Sequence, residues 1–386
     1  MTPFNFNTTP SVVFDNGAAA RLGPITAHCL GARVLFVTDP GLRQLGLCDA
    51  ALESLAAGGA EVVVFDKVEA DPSRATLMSA VQTGLAAQVN GVVGFGGGSS
   101  LDVAKLSALL IGSGEDLDEA WGVGQAKGPR LPLVLVPTTA GTGSEVTPVS
   151  IITVGAESKL GVSSALLLPD IAVLDAELTL GLPPAITAAT GVDAMVHAIE
   201  AYASKSPNNN PMSKMLARQA LQLLGGNIET AVFDGKDTAA RSAMLLGSML
   251  AGQAFANSPV AAVHALAYPI GGTFHVPHGL SNALVLPHVL RFNAPAAAYL
   301  YAEVAPDVFP DLADEQDAQA RCAAFIDALA ALSKKLGLQT TLREVKIEKQ
   351  HLPKLASDAM SQQRLLVNNP REVGEADALA IYTAAW

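Results

Sequence analysis

From residue 31 to residue 175, short β-branched runs alternate with Ala- and Leu-rich segments, and beyond Leu182-Pro-Pro184 the alternation stops. The runs occupy residues 32–38, 61–66, 91–95 and 131–136. Strands separated by helical segments join through crossovers, so the sheet they form is expected to be largely parallel. The second half instead carries long Ala/Leu/Met segments at 193–203, 212–224, 238–255 and 320–336, and reads as all-helical. At 386 residues the chain is long enough for two cores. An α/β domain over residues 1–180 followed by a helical domain over residues 181–386 is therefore expected.

Half of the residues are apolar, 16% are charged and 5% are aromatic, so the interior should be built from Ala, Leu, Val and Ile. A net charge of −12 gives no general attraction to nucleic acid or to an anionic membrane. Residues 75–101 and 242–290 contain no Asp, Glu, Lys or Arg. Neither reads as a membrane span, which takes about 20 predominantly apolar residues. The first holds Ser79, Gln82, Gln88, Asn90 and a glycine run, and the second is expected to be cut by Pro259, Pro269, Pro277 and Pro287. Cys29, Cys48 and Cys322 are odd in number and lack C-x-x-C spacing, which argues for small core residues rather than disulfides or a thiolate metal site. The first ten residues show no basic region followed by an apolar one, so a cytoplasmic location is expected.

The run at 91–95 leads directly into Gly96-Gly-Gly-Ser-Ser-Leu-Asp-Val-Ala-Lys105. Glycines at a strand-to-helix turn let backbone amides approach a pyrophosphate while the helix N-terminus faces its charge. The segment departs from G-x-G-x-x-G at the last position, and a glycine-lined turn is the competing reading. A second cluster, Pro137-Thr-Thr-Ala-Gly-Thr-Gly-Ser-Glu-Val-Thr147, also follows a strand. Two such loops belong on one edge of an open α/β sheet, where ligands bind. Asp39 ends the first run, a position from which a carboxylate either contacts ribose hydroxyls or caps the next helix.

Of seven histidines, His264, His275, His278 and His288 lie in the second uncharged stretch and His197 in another apolar segment. A buried imidazole needs a partner, and a cation is one. Asp193 and His197 are four apart and share a helical face. With His264 and His278 they make an Asp/His3 set suited to Fe2+ or Zn2+, although His275 competes with His278 at three residues' distance. His28 and His288 read as structural, and His351, among polar neighbours, as solvated.

Together these segments resemble the iron-containing, or group III, alcohol dehydrogenase family over essentially the whole chain. The matching stretches also include Pro169-Asp-Ile-Ala-Val-Leu-Asp175, Gly191-Val-Asp193…His197-Ala-Ile-Glu-Ala-Tyr202, His264-Ala-Leu-Ala…Pro277-His-Gly279 and Asn369-Pro-Arg371. The resemblance implies an N-terminal Rossmann-like dinucleotide-binding domain and a C-terminal helical metal-binding domain, the two-domain fold of dehydroquinate synthase. It implies that cofactor and metal occupy the cleft between them, and that the chain forms a homodimer or higher homo-oligomer. By matching position, Asp193, His197, His264 and His278 are the implied metal ligands. Asp39, Gly98, Ser99, Thr138, Thr139, Thr142, Thr147 and Lys159 are the implied cofactor contacts, with Gly97 and Asp102 of the same glycine run, and Phe255 is an implied pocket wall. Two positions depart from the family pattern. Tyr268 stands where many members carry the histidine that approaches the nicotinamide, and Asp71-Pro72 replaces Asn-Pro.

The expected activity is hydride transfer between a small alcohol and its aldehyde or ketone, with NAD preferred to NADP and a divalent metal lowering the alcohol's pKa. His275, Tyr268 or a ribose hydroxyl is the expected proton exit. A maleylacetate reductase is the rival within the class. A dehydroquinate synthase-like lyase is the rival outside it, but its anionic substrate calls for several Lys and Arg, which residues 242–290 lack.

Overall fold

The computed structural model describes residues 3–155 and 158–386; Met1, Thr2, Ala156 and Glu157 lie outside the described residues. The chain divides into two compact units. One comprises Asn7–Thr139 and Gly143–Gly181, and the other is formed by Leu182–Trp386, with Ala140–Thr142 and an N-terminal piece ending at Phe6.

The first unit is built on strands β1 (Ser11–Phe14), β2 (Arg33–Val37), β3 (Glu61–Phe65), β4 (Gly91–Gly96), β6 (Leu133–Pro137) and β9 (Ile171–Leu174), with β5 (Gly122–Val123), β7 (Val149–Val154) and β8 (Ser158–Ser163) in a second sheet. The six-stranded sheet runs β1-β9-β6-β4-β2-β3 with every pairing parallel. All residues of β4 and β6 are buried, as expected of central parallel strands covered on both faces. Leu35, Val92, Leu133 and Leu135 pack towards the Gly98–Ser113 helix side, while Val34, Phe36, Val93 and Val136 fill the opposite core. The small sheet pairs β7 and β8 antiparallel and β5 with β8 parallel. The expectation of a largely parallel sheet holds for the main layer; this antiparallel hairpin is an addition to it.

The second unit is helical, with its principal helices at Pro184–Ala203, Pro211–Phe233, Thr238–Asn257, Ala262–Phe274, His278–Val308 and Ala318–Lys335. Starts follow local chemistry: Asn210 and Asp237 cap their helices by accepting from Ser213 N and Ala240 N. Not all the prolines break elements as expected. Pro269 lies inside the Ala262–Phe274 helix and Pro287 inside His278–Val308. Each lacks one helical N–H, but buried flanks such as Ile270, Leu286 and Val289 keep the helix on the core. Among the described residues no helix is long and apolar enough to cross a membrane. Cys48 and Cys322 are buried and Cys29 partly so, all three free, and burial raises each thiol's pKa.

Candidate active site

Three helices of the second unit converge on a buried polar cluster. Asp193 and His197 project from one face of the Pro184–Ala203 helix, His264 from the first turn of Ala262–Phe274, and His278 begins the next helix. One ligating atom from each lies within 4.8 Å of every other. His264 Nε2 and His278 Nε2 stand 4.0 and 3.8 Å from Asp193 Oδ1. Metal bonds to such atoms are about 2.0–2.2 Å, so ligands on opposite sides of one ion stand about 4.4 Å apart, and the set fits one ion after small side-chain adjustment. Three imidazoles with one carboxylate suit Fe2+ or Zn2+.

The electrostatics fit a cation. Burial pushes the His197 imidazole down to about 3, so the ring is neutral at neutral pH and keeps a lone pair to donate. Burial pushes the Asp193 carboxyl up, but His197, His278 and His264, with a hydrogen bond from Asn282, hold it below its usual value. The rings are packed: His197 stacks on His264 at 4.7 Å between centroids and on Phe255 at 4.4 Å. Tyr268 lies with its ring 5.9 Å from that of His278. Gly279 makes the approach possible, since a Cβ there would lie 2.4 Å from Ala189 O and 3.2 Å from Asp193 Cβ.

The other histidines stay apart from the cluster. His275 is exposed and closes the Ala262–Phe274 helix in the left-handed region, φ 54°. The expectation of a structural His28 is corrected, for it is exposed, whereas His288 is half-buried and burial lowers it to about 4. His351 is not simply solvated: its ring is 5.1 Å from that of Phe274 and Nδ1 accepts from Glu348 N. Two further residues at the cluster escaped sequence reasoning. Asn282 donates to Asp193 Oδ1 at 2.6 Å and lies 3.3 Å from both His264 Nε2 and His278 Nε2. Glu200 contacts His264 Nδ1 at 2.6 Å. Asn282 is one turn after His278, a spacing the sequence displays, whereas nothing in the sequence ties Glu200 to His264.

In the first unit, β2 leads to β3 on one side and β4 lies on its other side, so the carboxyl ends of β2 and β4 flank a topological switch point. Asp39 follows β2, Gly97, Gly98 and Ser99 follow β4, and Thr138 and Thr139 follow β6. Gly96 adopts φ +150°, where a side chain would meet Ser100 Cβ at 2.8 Å. Gly97 caps the Gly98–Ser113 helix in extended conformation. Thr138 is buried and its N–H donates to Gly96 O, which ties the two loops together. Thr142 belongs to the helical unit.

Other expected cofactor contacts are engaged within the protein. Asp39 Oδ1 accepts from Leu42 N at 3.0 Å as a helix cap. Asp102 accepts from Ser144 Oγ and Ile151 N, and Lys159 is paired with Asp71. The carboxylate of Asp71, which replaces the family's Asn, thus holds a lysine. Thr147 Oγ1 accepts from Lys105 Nζ, which also donates to Ser144 Oγ and Val149 O. Burial lowers Lys105 to about 8, opposed by Asp102 and Glu145.

A parallel-sheet unit with glycine and threonine loops at its switch point, together with a buried Asp/His3 cluster on helices, defines a metal-dependent oxidoreductase. The chain belongs to the iron-containing alcohol dehydrogenase family: the family model described as "Iron-containing alcohol dehydrogenase" matches residues 9–176, and "Fe-containing alcohol dehydrogenase family, C-terminal" matches residues 187–386. It is 39% identical to long-chain-alcohol dehydrogenase 1 of Geobacillus thermodenitrificans, with 96% of this chain and 93% of that protein covered. It is 35% identical to sulfoacetaldehyde reductase of Bilophila wadsworthia, with 98% and 97% covered. A crystal structure of 1,3-propanediol oxidoreductase superposes with TM-score 0.95 at 34% identity, covering all of both chains. The protein is accordingly a metal-dependent alcohol dehydrogenase.

Proposed function

We propose that the enzyme interconverts a small, uncharged alcohol and its aldehyde or ketone with NAD(H), using a divalent ion held by Asp193, His197, His264 and His278. The observation that carries this reading is the four potential ligand atoms gathered within 4.8 Å, three of them on buried residues. When bound, the ion supplies Lewis-acid polarisation of the substrate oxygen and the nicotinamide supplies hydride chemistry.

The chain's own residues prepare the site. Asp193 contributes the one negative charge among the four ligands, which offsets much of the cost of burying a dication. Burial keeps the His197 imidazole neutral, which leaves a ring nitrogen lone pair for the ion. Phe255, stacked on His197, keeps water from that side and leaves an apolar wall. Tyr268, beside His278, has a phenol hydroxyl able to donate or accept a hydrogen bond. Gly97, Gly98 and Ser99 offer backbone N–H groups at a helix start to a pyrophosphate, and Thr138, Thr139 and Thr147 of the same unit are the proposed polar contacts around it. Asp39 and Lys159 are proposed at the ribose and nicotinamide portions, while Asp102 supports the loop through Ser144.

The test is a screen of the metal-reconstituted enzyme, with NAD(H) and with NADP(H). The alcohol panel runs from methanol through 1,3-propanediol to a long-chain alcohol, with sulfoacetaldehyde and maleylacetate as the anionic arms. Relatives bear names that span several of these substrates. Metal-dependent turnover of the uncharged members is expected. Turnover confined to maleylacetate, or turnover indifferent to metal removal, overturns the proposal.

A further inference from the structure

Glu200 is 5% exposed and lies three residues beyond His197 on the Pro184–Ala203 helix. A buried carboxylate is costly unless its oxygens are matched by donors, and here both are. Oε1 accepts from Val263 N at 2.7 Å and Oε2 is 2.6 Å from His264 Nδ1. An ionised carboxylate only accepts, so the His264 nitrogen facing it carries the proton, leaving Nε2 unprotonated with its lone pair towards the cluster, 3.3 Å from Asn282 Nδ2. That nitrogen is the one 4.0 Å from Asp193 Oδ1, inside the cluster.

Resting on the metal site proposed above, we infer that Glu200 is a positioning residue: it fixes the tautomer and ring orientation of His264 and strengthens Nε2 as a ligand. Hydrogen bonding of a ligand histidine's far nitrogen to a carboxylate has this effect in metal sites generally. The geometry also identifies the informative substitution. A glutamine offers one accepting oxygen and one NH2 where two donors now converge. With the oxygen on Val263 N–H, the NH2 faces Nδ1 and drives His264 to carry its proton on Nε2, the atom the ion needs. With the amide reversed, two buried N–H donors confront each other at Val263, which is costly.

The experiment is Co2+ titration of the metal-free full-length protein, read by competition with a chelator and by the visible ligand-field bands of bound Co2+. Glu200→Gln is expected to weaken Co2+ binding about 10–100-fold and to alter the bands, with the far-UV circular dichroism of the metal-free protein unchanged. Glu200→Asp, which keeps two accepting oxygens on a shorter stem, should recover part of the affinity. Glu303→Gln, which removes a carboxylate bonded to the Tyr202 hydroxyl, should leave Co2+ binding as in the wild type. Wild-type affinity and bands in Glu200→Gln overturn the positioning role while leaving the metal site standing. An equal loss in Glu303→Gln overturns it as a general packing effect. Failure of the wild-type protein to bind Co2+ overturns the metal site and this inference with it. Should Glu200→Gln not fold, Glu200→Asp decides: weakened binding with shifted bands supports the role, and wild-type values overturn it.

Discussion

His264 and His278 enter the cluster with different freedom, since the His264 side chain is 3% exposed and that of His278 is 37% exposed. Removing either deletes a proposed ligand, so His264→Ala and His278→Ala should both lose bound metal and turnover while keeping the fold. His275→Ala should keep both, because His275 sits outside the cluster at a helix end. Metal analysis of the three purified variants checks this; full occupancy in His264→Ala with loss in His275→Ala reverses the ligand assignment. Glu145 makes a second, independent case. It is 2% exposed, and burial raises its carboxyl from the ordinary 4.5 to about 7. The folded state therefore holds a proton that the unfolded state has released between those values. The resulting stability is fully present below about pH 4.5 and is lost as pH rises through about 7. Lys105 acts in a different window, above about pH 8, where its lowered pKa makes stability rise with pH. Glu145→Gln should flatten the melting temperature between pH 4.5 and 7 and gain on the wild type as pH approaches 7.5. An unchanged slope in calorimetry contradicts the buried-acid assignment. At this scale the gathering of the four side chains was legible because Asp193 and His197 share a helical spacing and the other two sit in long motifs. Glu200 was not, because its partner lies 64 positions away and only the fold joins them.

The elements that carry the site hold it by close approach. The His278–Val308 helix meets the Pro184–Ala203 helix at Gly279, where a Cβ would fall 2.4 Å from the Ala189 carbonyl oxygen. Backbone cannot yield as a flexible side chain does, so Gly279→Ala should push the helices apart at about 1–3 kcal/mol. Because His278 is the neighbouring residue, the same substitution should weaken Co2+ binding. Thermal unfolding and Co2+ titration of this variant check both effects, and a wild-type melting temperature would show that the helices tolerate the shift. Long elements were legible wherever one period ran unbroken. The four expected strands reappear as β2, β3, β4 and β6; three of the four expected helical segments sit within observed helices, and the fourth, 320–336, overruns Ala318–Lys335 by one residue. The β7–β8 hairpin was not legible: Ser, Thr, Lys and Gly interrupt its apolar pattern, and half-burial in a small sheet leaves little periodicity to read. The edge strand β1 is mostly exposed and is defined by its pairing with β9 rather than by its own four residues.

For the molecule as a whole, the net charge of −12 opposes every anionic cofactor, NAD and NADP alike. At physiological salt such a field is screened within about 8 Å, so it lowers both affinities without choosing between them. The choice must come from charge close to the ribose, and Asp39 is the carboxylate at the end of β2, beside the switch point. Its Oδ1 already caps a helix through Leu42 N, so replacing it with glycine would mix a lost cap with a lost charge. Asp39→Asn separates them, because asparagine caps as well as aspartate does. The wild-type enzyme is expected to show higher kcat/KM with NADH than with NADPH. In Asp39→Asn the ratio should shrink about tenfold, the equivalent of about 1.4 kcal/mol of relieved repulsion, mainly through a lower KM for NADPH. Raising the salt should narrow the wild-type ratio in the same direction and leave that of Asp39→Asn nearly constant. If the ratio is the same in both proteins at every salt concentration, Asp39 serves only as a helix cap and the preference is set elsewhere.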